Sequence, residues 1–241
     1  LETVRDATLD GSLAATFRAL EDAAVAVRDR WSTDTWRVID DIGEALEEQR
    51  RFDRAGLPAL EDTLDRLVSA LMAFTGLMVE SMTHEYGWQF LQIGRRVERT
   101  MLLVELLRAT VLMETEQGAE QPLLETLLLA NESLMTHRRR YRASLEAHSA
   151  LQVIVLDQGN PRSIAHQVLE LGRHIDALPR EHGERGLDAD QRALLAAGTR
   201  VRLAEAGVLA RTTGHRREGL ASFLDALGSE LEAAVEALDQ A

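Results

Sequence analysis

Cysteine and lysine are both absent from the 241 residues. Without thiols there are no disulfides, thiolate nucleophiles, zinc ribbons or iron–sulfur clusters. All 27 basic residues are therefore arginine, which removes Schiff-base chemistry, a lysine general base and a P-loop lysine. Arginine clamps anions but does not trade protons near neutral pH. Aromatics make up only 4% of the chain and proline occurs 4 times, so few side chains favour sheets and little interrupts helices. Nowhere does the sequence reach the roughly 18 uninterrupted apolar residues of a membrane span, and its start has no signal-peptide pattern. The chain thus reads as cytoplasmic, with no membrane partner. Leu1-Glu2-Thr3 stands where an initiator Met is expected, which suggests a domain released from a longer polypeptide.

What is present is a folded composition, 45% hydrophobic and 28% charged, with Leu, Ala, Glu and Arg dominant. These are strong helix formers, and all-α is the expected class. The net charge of −13 opposes non-specific binding to nucleic acid.

Periodicity supplies the elements. A helix is expected from Leu13 to Arg30, capped by Ser12, and a second after Ser32 with Trp36, Ile39, Ile42 and Leu46 on one face. Gly56-Leu57-Pro58 breaks it. Leu60, Leu64, Leu67, Leu71, Phe74, Met78 and Met82 then form the stripe of a long helix from Pro58. From Tyr86 to Met113 apolar residues lie on both sides of the wheel, which predicts a buried central helix. Pro122 suits the first residue of a helix running toward Tyr141. At Asp157-Gln158-Gly159-Asn160-Pro161, Gly159 suits a helix end, Asn160 a cap and Pro161 the first turn of a helix to Leu178. A charged loop from Pro179 to Leu187 precedes helices over Asp188–Arg211 and Glu218–Leu238. With no Pro/Gly/Ser linker, residues 1–241 read as one all-α domain, a bundle of seven or eight helices around the central one.

Three constellations carry chemistry. Ile93-Gly94-Arg95-Arg96-Val97-Glu98-Arg99 puts charges inside the central helix, where Arg95 can pair with Glu98 one turn on. Burying such groups demands either a fully paired network or a ligand. Gly94 reads as a close-packing glycine. Asn131, Glu132, His137, Arg138, Tyr141 and Arg142 form either a solvated face or an anion clamp. Asp157, Asn160, Arg162, Ser163 and Gln167 form either a capped turn or an anion site at a helix start. Metal binding has little support: the Glu-x-x-His of di-iron bundles does not occur, and Glu80/His84 and Glu170/His174 are ordinary i,i+4 pairs. Nucleophile-elbow, P-loop and dinucleotide motifs are missing too.

Gly94–Arg99 and Leu156–Ser163 resemble the bacterial alpha-E domain, an all-helical family named for its Glu-Arg motif. Val27-Arg28-Asp29-Arg30-Trp31-Ser32-Thr33-Asp34-Thr35-Trp36 is similar to the family's segment after its first long helix, and Asn131–Tyr141 to its late central helix. These stretches occur in the right order over residues 25–178, leaving 188–241 less covered. Members commonly open with a further Gly-Arg-x-x-Glu-Arg helix that has no counterpart before Leu1, which suggests N-terminal truncation. The resemblance implies partnership with a circularly permuted ATP-grasp ligase in peptide-type amide synthesis. That ligase would supply ATP and Mg²⁺, leaving this chain without a cofactor of its own and with a role in binding an anionic or peptide ligand. The ligand-binding candidates are Arg95, Glu98, Arg99, Asn131, Arg138, Tyr141, Arg142, Asp157, Asn160 and Arg162. Two alternatives are a stand-alone transferase with Glu98 as general base, and a structural scaffold that homodimerises through apolar helix faces.

Overall fold

The computed structural model describes residues 4, 6–51, 57–115, 118–142, 145–179 and 186–240. Among them are eleven α-helices and no strand, only isolated bridges from Arg216 to Met113 and Thr213. The all-α expectation holds, with more and shorter helices than seven or eight. Two compact units emerge, Leu1–His84 and Glu85–Ala241. The sequence drew no such boundary, because only residues 82–85 separate the flanking helices, too short a stretch for composition to mark.

The first unit is built from α1 (Leu13–Ala26), α2 (Thr33–Arg51) and α3 (Leu57–Ser81). Ser12 Oγ caps α1 by accepting from the Ala15 amide, and Ser32 Oγ accepts from the Thr35 amide at the start of α2. The first helix ends at Ala26, with a 3₁₀ turn at Arg28–Arg30. There the Trp31 indole donates to the Ala24 carbonyl and meets the Phe74 ring, centroids 5.6 Å apart. Phe17, Ile42, Ala45 and Leu67 form the core, with Leu64 and Leu71 packed against it; Leu64, Leu67 and Leu71 belong to the stripe read from the sequence for the third helix, and Ile42 to the face read for the second. Residues 52–56, including the expected break at Gly56, lie outside the described residues.

In the second unit, α4 (Tyr86–Thr110), α8 (Ile164–Asp176), α9 (Ala189–Leu203) and α11 (Glu218–Asp239) make the main packing layers. Between α4 and α8 lie α5 (Glu120–Ala130), α6 (Leu134–Arg140) and α7 (Ala147–Leu151), which continues as a π turn over Gln152–Leu156; α10 (Ala206–Ala210) follows α9. Val104, Leu107, Leu128, Ile154, Leu171 and Leu224 are among the sealed core side chains. Arg200 makes a two-oxygen fork to Glu230 across α9 and α11. A Cβ on Gly219 would lie 2.8 Å from the Val208 carbonyl oxygen, so only glycine lets α10 and α11 meet this closely.

Four expectations need correction. The central helix is not encased: α4 buries Ile93, Thr100, Leu103, Val104 and Leu107 but leaves Phe90 54% and Leu102 68% exposed. Apolar residues on both sides of its wheel therefore do not mean burial all round. The helix toward Tyr141 is two helices, because Asn131 Nδ2 donates to the Leu127 carbonyl and Glu132 takes a left-handed φ of 48°. Pro122 is the third residue of α5, not the first. Ser163, rather than Asn160, caps α8 by accepting from the His166 amide, and Asn160 is used inside the preceding turn.

Candidate functional site

Two turns of α4 present Arg95, Arg96 and Arg99, all half-buried, while Glu98 is exposed. Arg96 is the one held by α8: it donates to Gln167 Oε1 at 3.3 Å and stands 3.8 Å from the Glu170 carboxylate. Glu170 also pairs with Arg173, and His174 faces Gln89, 2.7 Å between Nδ1 and Oε1. The Glu170/His174 pair is thus taken up by protein partners. Among the described residues, no group of three His, Asp or Glu is placed to hold a metal.

Arg162 joins this cluster from the turn before α8. That turn is pinned to the α5–α6 break: the buried Asn160 amide donates to Ser133 Oγ at 3.0 Å and to the Val153 carbonyl at 2.9 Å, while Asn160 Oδ1 accepts from the Arg162 amide. The same stitch brings the Arg162 guanidinium 2.8 Å from the Glu132 carboxylate. Asp157 accepts from the Gly159 amide and lies 2.7 Å from Arg140. Asn160 and Asp157 therefore build the turn.

The electrostatics are lopsided. Burial pushes Arg95 below the ordinary arginine value, and its neighbours Arg96 and Arg162 push the same way. Arg99 is lowered by burial, then by Arg162 and Arg95, with Glu132 opposing. Arg96 is lowered by burial and by Arg99, against the pull of Glu170. The guanidiniums remain charged, since their ordinary value lies so far above neutrality. Among the described residues neither Arg95 nor Arg99 contacts a carboxylate, and the expected Arg95–Glu98 pair is not formed. Glu98 stays at the solvent side. Gly94 is no packing glycine either: it is exposed, and a Cβ there would meet nothing within 4 Å.

The remaining candidates form a second group at the end of α6. Arg138, Tyr141 and Arg142 line a cleft of about 280 Å³ together with Gln121 and His137. Arg138 pairs with Glu125 at 2.6 Å on an exposed surface. His137 is buried, stacks on Tyr141 and lies 2.8 Å from Ser149 Oγ; burial lowers its pKa. Asn131 ends α5 and belongs to neither group. Sequence reading did not pair Glu170 with Arg96; Gln167 and Glu170 share a face of α8, but their meeting with Arg96 depends on the packing of α8 against α4.

Fold and cluster together define an all-helical domain whose charged centre is a set of arginines. The Alpha-E family model, described as a predicted alpha-helical domain with a conserved ER motif, matches residues 2–241. The chain belongs to this family, and the match extends well beyond the 25–178 stretch of the sequence resemblance. Uncharacterised proteins of Mycobacterium tuberculosis (Rv2567) and Mycobacterium bovis (Mb2597) are each 32% identical over 195 residues, 80% of this chain. The matched region spans 22% of the length of each relative. No solved structure matches. Among the described residues no helix is long and apolar enough to cross a membrane.

Proposed function

We propose that this chain is a substrate-binding helical domain that works with an ATP-grasp-type ligase in forming peptide-type amide bonds. It holds an anionic part of the substrate at Arg95, Arg99 and Arg162. In this reading ATP and Mg²⁺ belong to the ligase. The observation that carries it is the pair of half-buried guanidiniums, Arg95 and Arg99, that contact no carboxylate among the described residues. Half-burial without a counter-ion is costly, and an incoming anion relieves it through charge-assisted hydrogen bonds. The greater length of the relatives supports a domain that acts beside others.

Calorimetry against an acidic peptide and a phosphonate mimic of an acyl phosphate tests the reading. Binding should be measurable for the wild-type chain and lost in Arg95→Ala and Arg99→Ala variants that melt like it. Failure of the wild type to bind either ligand contradicts the reading, as does binding that both variants keep.

A further inference from the structure

Glu132 is the only non-glycine residue at positive φ among the described residues, and its carboxylate meets one arm of the uncompensated arginine cluster. We propose that Arg95, Arg99 and Arg162 form the seat of a phosphoryl dianion, and that the Glu132 carboxylate is a resident counter-ion which this group displaces. The inference rests on the anion-binding reading above and names the ligand's chemical class.

Charge matching favours a dianion. Four guanidiniums, Arg95, Arg96, Arg99 and Arg162, have two carboxylates in contact, Glu170 on Arg96 and Glu132 on Arg162. Among the described residues Arg95 and Arg99 are left without a carboxylate, and once Glu132 is displaced from Arg162 three positive charges face the ligand. Arg95 and Arg99 lie four residues apart on one helix face, and Arg162 acts electrostatically on both. A carboxylate would neutralise one of the three, whereas a phosphate monoester brings two charges and three acceptor oxygens to three planar donor forks.

Glu132 has the properties of a replaceable group. Its side chain is 67% exposed and touches Arg162 through one oxygen, an arrangement weakly held in water. Arg162 itself is fixed from behind, because Asn160 accepts from its amide and anchors to Ser133 and Val153. The backbone that carries the arginine therefore stays in place when its acid partner leaves.

Titration calorimetry of the full chain with phenyl phosphate and with benzoate, at low ionic strength in phosphate-free buffer, tests this. Wild type, Glu132→Gln and Arg99→Gln are compared, with circular dichroism to verify folding. Phenyl phosphate should bind more tightly than benzoate. Glu132→Gln should bind phenyl phosphate roughly two- to fivefold more tightly, the scale of one exposed ion pair, and Arg99→Gln about tenfold more weakly or worse. Equal affinity for benzoate overturns the phosphoryl class. Unchanged or weaker binding by Glu132→Gln overturns the displaced counter-ion. In both cases anion binding itself survives. If an acidic peptide binds and phenyl phosphate does not, this inference fails alone; if folded wild type and Glu132→Gln bind no anion at all, the broader reading fails with it.

Discussion

Arg217 shows how differently one residue type is used within the second unit. It is 3% exposed, donates to the Ala210 and Val111 carbonyls and pairs with Glu120, tying α4, α5 and α10 to the start of α11. Arg95 and Arg99 have no such set of acceptors. Arg217→Met should lower stability by about 3–5 kcal/mol, because it leaves Glu120 and two carbonyls without their donor; chemical denaturation measures this. A loss below about 1 kcal/mol would contradict the role. Gly94 gives the opposite expectation. Its exposed helical position is open around a would-be Cβ, so Gly94→Ala should raise stability by about 0.5–1 kcal/mol in the same assay. A destabilised variant would mean that the glycine is required by something other than the helix.

At the scale of elements, the pairing of α4 with α8 carries a pH dependence. Burial, followed by Arg96, lowers the pKa of His174 on α8 against the pull of Glu170, and burial alone lowers that of His137 on α6. Both pKa values fall below the ordinary 6.5, so the folded chain favours neutral imidazole and the unfolded chain takes up protons first. Their stability contribution is complete above that value and is lost as pH falls below it toward the folded pKa values. The melting temperature should drop between pH 7 and 5, and His174→Gln should flatten the drop. A melting temperature that rises over this range would refute the sign.

The long elements were legible for the same reason that they are stable. The Leu60–Met78 stripe and the Ser12 and Ser32 caps are local patterns, readable without tertiary structure. The α5–α6 break was not, because Glu132 adopts a conformation for which Gly or Asn is the usual signal. Nor was the shift of the α8 cap from Asn160 to Ser163: both are good caps, and the choice follows from Asn160 being drawn to Ser133 and Val153. At the candidate site the arginines were visible in the sequence, but the exposure of Glu98 and the convergence of Arg162 depend on packing across more than sixty residues.

On the scale of the whole molecule, a net charge of −13 accompanies a locally positive cluster. The general field repels anions while the cluster attracts them, so binding should be short-ranged and sensitive to ionic strength. All the cluster's arginines, together with Glu132, lie within residues 85–241, which have a hydrophobic core of their own.

The most direct test of the central claim is the melting temperature of the full chain in inorganic phosphate against chloride at matched ionic strength. It is compared with an Arg95→Gln/Arg99→Gln double variant, which controls for the general stabilising effect of phosphate on folded proteins. A specific site predicts a rise in the wild type that grows with the logarithm of phosphate concentration and is mostly lost in the double variant. Equal shifts in the two proteins, or none in either, would contradict an anion site at these arginines.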